Sequence, residues 1–189
     1  MYNYTGYRKI VNLRNGLRVM FRCLNAQDKE GLVQMFRETP EEDARFLKQD
    51  VRNVGLVHSW VDRIDYNKVL PIVAVEFESK RLIADATLHK GKDAARHIGE
   101  VRIFISRPLR NLGLGSMMLD ELIAMARREN LQWLKAEVIA EHTTVIKAFR
   151  GKGFEAKATL DDYFIRKDGV THDVVLMIRS VVTREESEF

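Results

Sequence analysis

Residues 100–130 constrain the fold of this chain more than any other segment, because the hydrophobic period changes within them. Apolar and polar residues alternate over 101–106, which is the period of a half-buried strand. Apolar side chains then recur every three or four residues over 114–126, which is the period of an amphipathic helix. Gly113 and Gly115 stand between the two patterns. The sequence therefore predicts a strand that runs into a glycine-containing turn, and a helix that begins at that turn.

A turn of this kind is suited to binding a phosphate group. The first N–H groups of a helix have no partner inside the helix, and the helix dipole adds partial positive charge there. Gly113 and Gly115 lack side chains, so a bulky anion can approach the backbone, and Arg110 adds a full charge. We therefore expect a phosphate or pyrophosphate at the start of the helix. A turn with a purely structural role is the alternative that these residues alone leave open.

Three sequence patterns place glycines between a strand and a helix. The P-loop pattern, Gly-x-x-x-x-Gly-Lys-Ser/Thr, does not occur in the chain. A dinucleotide-binding fold needs a third glycine where this chain has Met118, and too little chain follows for its doubly wound sheet. Only the position of Glu137, about 20 residues further on, agrees with that fold. The third pattern is Arg/Gln-x-x-Gly-x-Gly/Ala, which Arg110, Gly113 and Gly115 match.

Composition limits the class of protein further. The 189 residues are enough for one domain with a sizeable core, and 46% hydrophobic with 31% charged residues is an ordinary globular mixture. The net charge of +4 favours an anionic ligand, but basic and acidic residues are interleaved, so we expect no nucleic-acid partner. No signal peptide or membrane span is apparent, which predicts a cytoplasmic protein without a membrane partner. Cys23 should be a buried thiol, and the five histidines lack metal-ligand spacing.

The rest of the chain predicts strands and helices in a mixed order. Strands are expected at residues 9–13, 17–24, 69–77, 81–89, 97–106, 132–139, 155–166 and 170–180. Helices are expected at residues 26–37, from Pro40 onward, and at 55–65, 114–130 and 142–150. The tryptophans, Trp60 and Trp133, are expected in the core. No repeat or linker divides the chain.

Two blocks of the sequence resemble the GNAT family of N-acetyltransferases. The first is Arg110-Asn-Leu-Gly113-Leu-Gly115, which is similar to the family's acyl-CoA pyrophosphate loop. The second starts at His142 and ends at Gly153-Phe154. In the family, an Asn begins this second helix and a Tyr lies four residues before the Gly-Phe pair. Here His142 stands at the Asn position and Phe149 at the Tyr position.

The resemblance implies an α+β fold, in which helices flank a twisted, mostly antiparallel central sheet with two splayed parallel central strands. It implies a single domain over residues 1–189, with the hairpin and helices of residues 1–69 on the acceptor side. The polar composition of residues 183–189 predicts a frayed tail. A looser likeness to the GNAT domains of bacterial protein-lysine acetyltransferases suggests a protein lysine as the acceptor, with a small amine as the alternative. The protein is expected to be a monomer or a homodimer.

The resemblance also implies that acetyl-CoA is the acyl donor and that no metal takes part. Pyrophosphate is expected on the backbone of residues 111–116, and pantetheine amides along the preceding strand. The residues expected to contact acetyl-CoA are Ile103, Ile105, Arg110, Asn111, Leu112, Gly113, Leu114, Gly115, Ser116, His142 and Phe149.

A carboxylate is expected to take the proton of the acceptor amine, because a lysine-like amine has a pKa of ~10.4 and reacts only when neutral. Glu100 lies within one residue of the position of the base in the histone-acetylating branch, and Glu76 is the second candidate. An exposed glutamate at a strand end is the simpler interpretation of both. Phe149 cannot serve as the acid that the family's tyrosine provides, so that role falls to Tyr163, to water or to no group. A non-catalytic acyl-CoA-binding sensor or regulatory module is therefore the alternative to an enzyme.

Overall fold

The computed structural model describes residues 4–182, which form two compact units. Of the described residues, unit 1 contains those up to Thr87 together with Ile103–Met118. Unit 2 contains Leu88–Arg102 and the described residues from Leu119 onward. The tail at 183–189, expected to fray, lies outside the described residues. The organisation as a single domain stays a prediction.

The described residues form one eight-stranded, mainly antiparallel sheet together with helices, which confirms the α+β class. The strands are β1 (Arg8–Asn12), β2 (Arg18–Cys23), β3 (Val69–Glu76), β4 (Leu82–Lys90), β5 (Ile98–Ile105), β6 (Trp133–Ile139), β7 (Glu155–Ile165) and β8 (Thr171–Ser180). The helices are α1 (Lys29–Arg37), α2 (Glu41–Ala44), α3 (Val54–Asp62), α4 (Leu114–Arg128) and α5 (Thr143–Gly151). None of the helices described within 4–182 is long and apolar enough to cross a membrane.

Unit 1 contains the strands β1, β2 and β3 and the first part of β4, in that order, followed by the end of β5. The hairpin between β1 and β2 turns at Gly16, whose φ of +84° is the left-handed conformation that an Asn-Gly turn needs. Helices α1 and α3 pack on one side of β3, where Phe36 of α1 contacts the ring of Trp60 at 5.9 Å between centroids. The placement of Trp60 beside the core is confirmed. The core of this unit includes Leu24, Leu32, Val33, Met35, Phe36, Val57, Val61, Val73, Val75 and Leu82.

Unit 2 contains the end of β4 and the start of β5, followed by β6, β8 and β7. Strands β5 and β6 are parallel and pair at Ile98–Trp133, Gly99–Leu134 and Glu100–Lys135. Within the described residues the pairing stops there, although β6 continues to Ile139. Parallel pairing that is limited to the starts of the two strands is consistent with the splayed central strands that the resemblance implies.

Gly99 shows how tightly the start of β5 packs in unit 2. A side chain at this position would bring its Cβ to 2.6 Å from Leu88 and 2.8 Å from Leu131. Trp133, at the start of β6, is 41% exposed, so its expected core position is wrong. It shares a face of β6 with Lys135, whereas the alternate residue Leu134 is buried. The hydrophobicity of tryptophan did not decide where Trp133 lies, because the alternation of side chains along β6 placed it on the solvent-exposed face of the strand.

Candidate active site

The junction between β5 and α4, in unit 1, has the local geometry that the sequence predicts. Strand β5 ends at Ile105, Arg107–Leu109 form one turn of 3-10 helix, and α4 begins at Leu114. Asn111 and Gly113 have φ angles of 62° and 88°, both in the left-handed region. The N–H of Met117 donates to the carbonyl of Gly113 at 3.1 Å. The N–H groups of residues 114–116 precede this bond and so have no acceptor inside the helix.

The two glycines of the turn meet different requirements. At Gly113 the atoms nearest to an added Cβ, from Arg14 and Met117, would be 3.8 Å away, so the backbone angle rather than crowding favours glycine. At Gly115 an added Cβ would lie 3.7 Å from Ile105, an ordinary contact, and no left-handed angle occurs. Neither packing nor backbone conformation therefore requires glycine at position 115. The missing side chain there suits a ligand that approaches the backbone closely.

Arg110 is anchored at the start of the turn. Its Nε donates to the carbonyl of Ile105 at 3.1 Å, and its Nη2 lies 2.9 Å from Oδ2 of Asp43, which belongs to α2. The described residues provide no partner for Nη1 of Arg110. The guanidinium is thus held in place, and its remaining N–H groups can donate hydrogen bonds to an anion.

Asp43 joins the acidic helix α2 to both arginines of the junction. Arg107 donates to its two carboxylate oxygens from Nε at 3.0 Å and from Nη2 at 2.9 Å, a bidentate pair. Glu42 accepts a further hydrogen bond from Arg107. Hydrogen bonds from Arg107, and then from Arg110, lower the pKa of the Asp43 carboxyl, although partial burial opposes this. Sequence analysis missed this contact, because 64 residues separate Asp43 from Arg107.

The structure adds a carboxyl group that sequence analysis did not identify. Asp85 lies in the middle of β4, between Ala84 and Ala86, whose exposed fractions are 0%. Its own side chain is half-buried, and the residues described by the structure give it neither a hydrogen bond nor an ion pair. Burial raises the pKa of the Asp85 carboxyl to about 7. The sequence feature that could have pointed to Asp85 is a single acidic residue inside the apolar run Leu82-Ile-Ala-Asp-Ala.

Glu100, the first candidate base, lies in unit 2 within an ion-pair network. Its Oε1 accepts from Nε of Arg102 at 2.8 Å, and its Oε2 lies 3.2 Å from Nζ of Lys135. Burial alone would lower the pKa of Lys135, but the charges of Glu100 and Glu137 outweigh it and raise that pKa. Lys135 is therefore a stable cation, and the Glu100 carboxylate is paired with two positive groups.

Glu76, the second candidate base, ends β3 at the hairpin that leads to β4. Its N–H donates to the carbonyl of Arg81 at 2.9 Å, and its carboxylate accepts a hydrogen bond from the Ser79 hydroxyl. These bonds stabilise the turn between the two strands. The catalytic assignments of Glu76 and Glu100 stay predictions.

The second block that resembles the family forms α5 in unit 2. His142 occupies the N-cap position, where its carbonyl accepts from the N–H of Ile146 at 3.1 Å, but its side chain makes no capping bond. Phe149 is buried, and its ring packs edge-on against Phe154 at 5.0 Å between centroids. Tyr163, the alternative acid, is 58% exposed on β7. Contact of His142 and Phe149 with acetyl-CoA stays a prediction.

Two further expectations concern cysteine and metal chemistry. Cys23 is buried, as expected, and burial raises the pKa of its thiol to about 11, which makes it a poor nucleophile. Residues 4–182 contain no group of three or more His, Cys, Asp or Glu side chains that could hold a metal ion.

Unit 1 brings together the turn, Arg110, Ile103 and Ile105, the residues that the sequence assigned to pyrophosphate and pantetheine.

The fold and the match to a family model together define an acyl-CoA-dependent acyltransferase. Residues 31–154 match the model of the Acetyltransferase (GNAT) family. Because this match spans well over half of the chain, the protein belongs to the GNAT acetyltransferase family. Members of this family transfer an acetyl group from acetyl-CoA to an amine, so the protein is an acetyl-CoA-dependent N-acetyltransferase by class.

Solved structures of GNAT proteins share the whole fold at low sequence identity. The GNAT domain of S. lividans PAT is 22% identical, with a TM-score of 0.77 over 95% of this chain and 99% of that chain. Ribosomal-protein-S5-alanine acetyltransferase from Vibrio fischeri is 16% identical, with a TM-score of 0.76 over 86% of this chain and 92% of that chain. The yncA protein from Salmonella typhimurium, solved with its cofactor acetyl-CoA, is 16% identical, with a TM-score of 0.73 over 88% and 95%. At these identities the likeness shows the fold alone.

Proposed function

We propose that this protein transfers the acetyl group of acetyl-CoA directly to a primary amine, with both substrates bound at once. The observation that carries the proposal is the junction between β5 and α4. There, a left-handed Gly113, an uncrowded Gly115 and unpartnered helix N–H groups adjoin an anchored arginine. These groups fit a pyrophosphate better than any other common ligand, because they combine helix-end N–H donors with a guanidinium.

Acetyl-CoA supplies the thioester, and the chain supplies the groups that hold and orient it. The backbone of residues 111–116 binds the pyrophosphate, together with the free N–H groups of Arg110. The backbone near Ile103 and Ile105 pairs with the pantetheine amides. The assignment of His142 and Phe149 to cofactor contacts rests on the family resemblance of their block alone. The roles of the turn, of Arg110 and of the segment near Ile103 and Ile105 are proposals that the geometry of unit 1 supports.

The acceptor is a protein lysine or a small-molecule amine. The structural neighbours include the GNAT domain of S. lividans PAT and a ribosomal-protein-S5-alanine acetyltransferase, and the name of the second states a protein acceptor. Their identities are too low to transfer a substrate to this chain. The location in the cytoplasm, the lack of nucleic-acid and membrane partners, and the choice between monomer and homodimer also stay predictions from the sequence.

A second candidate function is a non-catalytic acyl-CoA-binding sensor or regulatory module. The observation that favours it is Phe149, which replaces the family's tyrosine and packs against Phe154. That position offers no hydroxyl to protonate the leaving thiolate. An enzyme remains the better proposal, because thiols have a pKa near ~8.5 and a thiolate can leave without an acid.

Turnover separates the two candidates. The protein is incubated with acetyl-CoA and a panel of lysine peptides, protein N-termini and polyamines, and the free thiol is measured against a control without amine. Amine-dependent thiol release supports the enzyme. Clear binding of acetyl-CoA without release for any amine supports the sensor. The Gly115→Asp variant is the matched control, since a carboxylate in the turn should abolish acetyl-CoA binding in either case.

A further inference from the structure

The three carboxyl groups considered for proton transfer differ in what already binds them. Glu100 is paired with Arg102 and Lys135, and Glu76 accepts a hydrogen bond from the hydroxyl of Ser79. Asp85 has no such partner among residues 4–182. A proton taken up by Glu100 would weaken two ion pairs, whereas a proton taken up by Asp85 would break none. On this ground Asp85 is the carboxylate best able to accept a proton.

Asp85 also lies beside the strand segment assigned to the pantetheine arm. The N–H of Ser106 donates to the carbonyl of Ile83 at 3.1 Å, which pairs β4 with the end of β5 in unit 1. Counting back along both antiparallel strands places Asp85 next to the segment 103–105. At a rise of about 3.3 Å per residue, Asp85 is roughly 7 Å along β4 from that hydrogen bond. The pyrophosphate turn begins just beyond Ser106.

The strand segments that flank Asp85 in unit 1 carry no ionisable side chain. Residues 69–75 of β3 are apolar, and so are Ile103, Phe104 and Ile105 of β5. The nearest ionisable residue before Asp85 in the chain is Arg81, whose guanidinium pairs with Glu38 at 2.5 Å. Burial is accordingly the only cause that acts on the Asp85 carboxyl. A half-buried carboxylate in such surroundings binds a proton more tightly than an exposed carboxylate does.

We propose that Asp85 is the catalytic base that takes the proton of the acceptor amine. This inference rests on the proposed acetyl transfer. The ammonium form of the acceptor gives one proton to the Asp85 carboxylate, which later releases it to water. The nitrogen lone pair forms the new C–N bond, the C–S bond breaks, and its electron pair stays on sulfur. The second proton leaves nitrogen as the amide forms and neutralises the thiolate.

The test compares four single variants with the wild-type enzyme, using the best amine from the panel. Asp85→Asn keeps the size of the side chain but cannot accept a proton, and Asp85→Glu restores a carboxylate. Asp161→Asn is the matched control, because Asp161 is exposed on β7 and lies outside the proposed machinery. Glu100→Gln tests the alternative base. For each variant kcat/KM is measured from pH 5.5 to 9.5, and acetyl-CoA affinity is measured separately.

We expect Asp85→Asn to lower kcat/KM at least about 100-fold at pH 8, the usual scale of a lost general base. The rise of the wild-type profile near pH 7 should disappear, while acetyl-CoA affinity changes less than about threefold. Asp85→Glu should recover part of the rate, and Glu100→Gln should lose much less than Asp85→Asn. If Asp85 had only a structural role, its replacement would not remove one transition from the pH profile of kcat/KM and leave the other transitions unchanged.

Two results would overturn the inference. The first is an Asp85→Asn enzyme that keeps the wild-type rate and pH profile. The second is a Glu100→Gln enzyme that loses the transition near pH 7 while Asp85→Asn keeps it. Both require an active wild-type protein, so they differ from the failure of the proposed function, in which the wild type itself transfers no acetyl group. A thermal melt of Asp85→Asn checks that any loss of rate is not a loss of folded protein.

Discussion

Replacement of Asp85 by asparagine should stabilise the protein, and the size of the effect should depend on pH. In the folded state burial raises the pKa of this carboxyl from 3.8 to about 7. Ionisation is therefore more costly in the folded chain than in the unfolded chain. The wild-type free energy of unfolding should fall as pH rises from about 4 to about 7, and it should then stay at the lower level.

The magnitude follows from the difference between the two pKa values. One pKa unit corresponds to about 1.4 kcal/mol, so a carboxyl whose pKa rises from 3.8 to about 7 loses up to about 4 kcal/mol of stability above pH 7. Because Asp85 is only half-buried, this figure is an upper value. Asparagine does not ionise, so Asp85→Asn should match the wild type below pH 4 and exceed it at pH 8. The expected rise in melting temperature at pH 8 is on the order of 10 °C.

Urea unfolding of the wild type and of Asp85→Asn, from pH 4 to pH 9, measures this difference. The Asp161→Asn variant provides the control for a lost carboxylate on the surface and should show no such trend. Subtraction of the two curves removes the contributions of all other titrating groups. Parallel curves for wild type and Asp85→Asn would refute the assignment of a desolvated carboxyl to β4. A variant that is both more stable and less active would identify Asp85 as a site where function outweighs stability.

Three further predictions concern the turn and its ligand. Gly113→Ala should destabilise the protein by about 1–2 kcal/mol in chemical denaturation, because alanine disfavours a φ of +88°, whereas Gly115→Ala should leave stability nearly unchanged. Asp43→Asn should weaken acetyl-CoA binding in calorimetry by about tenfold, since Arg110 loses its anchor, while Glu42→Gln, which touches Arg107 alone, should weaken it less. Acetyl-CoA should raise the melting temperature by mass action, and NADH should not.

Each of these predictions has a result that contradicts it. Equal stability losses at Gly113 and Gly115 would mean that packing, not backbone conformation, selects glycine in the turn. Tighter acetyl-CoA binding by Asp43→Asn would mean that the carboxylate competes with the pyrophosphate for Arg110 instead of positioning it. A thermal shift with NADH and none with acetyl-CoA would favour a dinucleotide ligand over acetyl-CoA.

The sequence by itself determined the parts of this protein that depend on local chemistry. The change of hydrophobic period over 100–130 predicted β5, the turn and α4, because periodicity is set by neighbouring residues. The turns at Gly16 and Gly113, where φ is left-handed, lie in the short gaps between elements that the sequence predicted. The two blocks near Arg110 and His142 were enough to identify the family, which residues 31–154 confirm.

Only the tertiary structure decided which side chains are buried and which distant residues meet. Asp43 reaches Arg107 across 64 residues, and Glu100 meets Lys135 because two strands pair in parallel. Trp133 is exposed and Asp85 is half-buried, the reverse of what their side chains alone would favour. Burial and pairing depend on how separate elements pack, and packing is a property of the folded chain as a whole. The reactivity of a carboxyl group follows from that packing, because desolvation and nearby charges set its pKa.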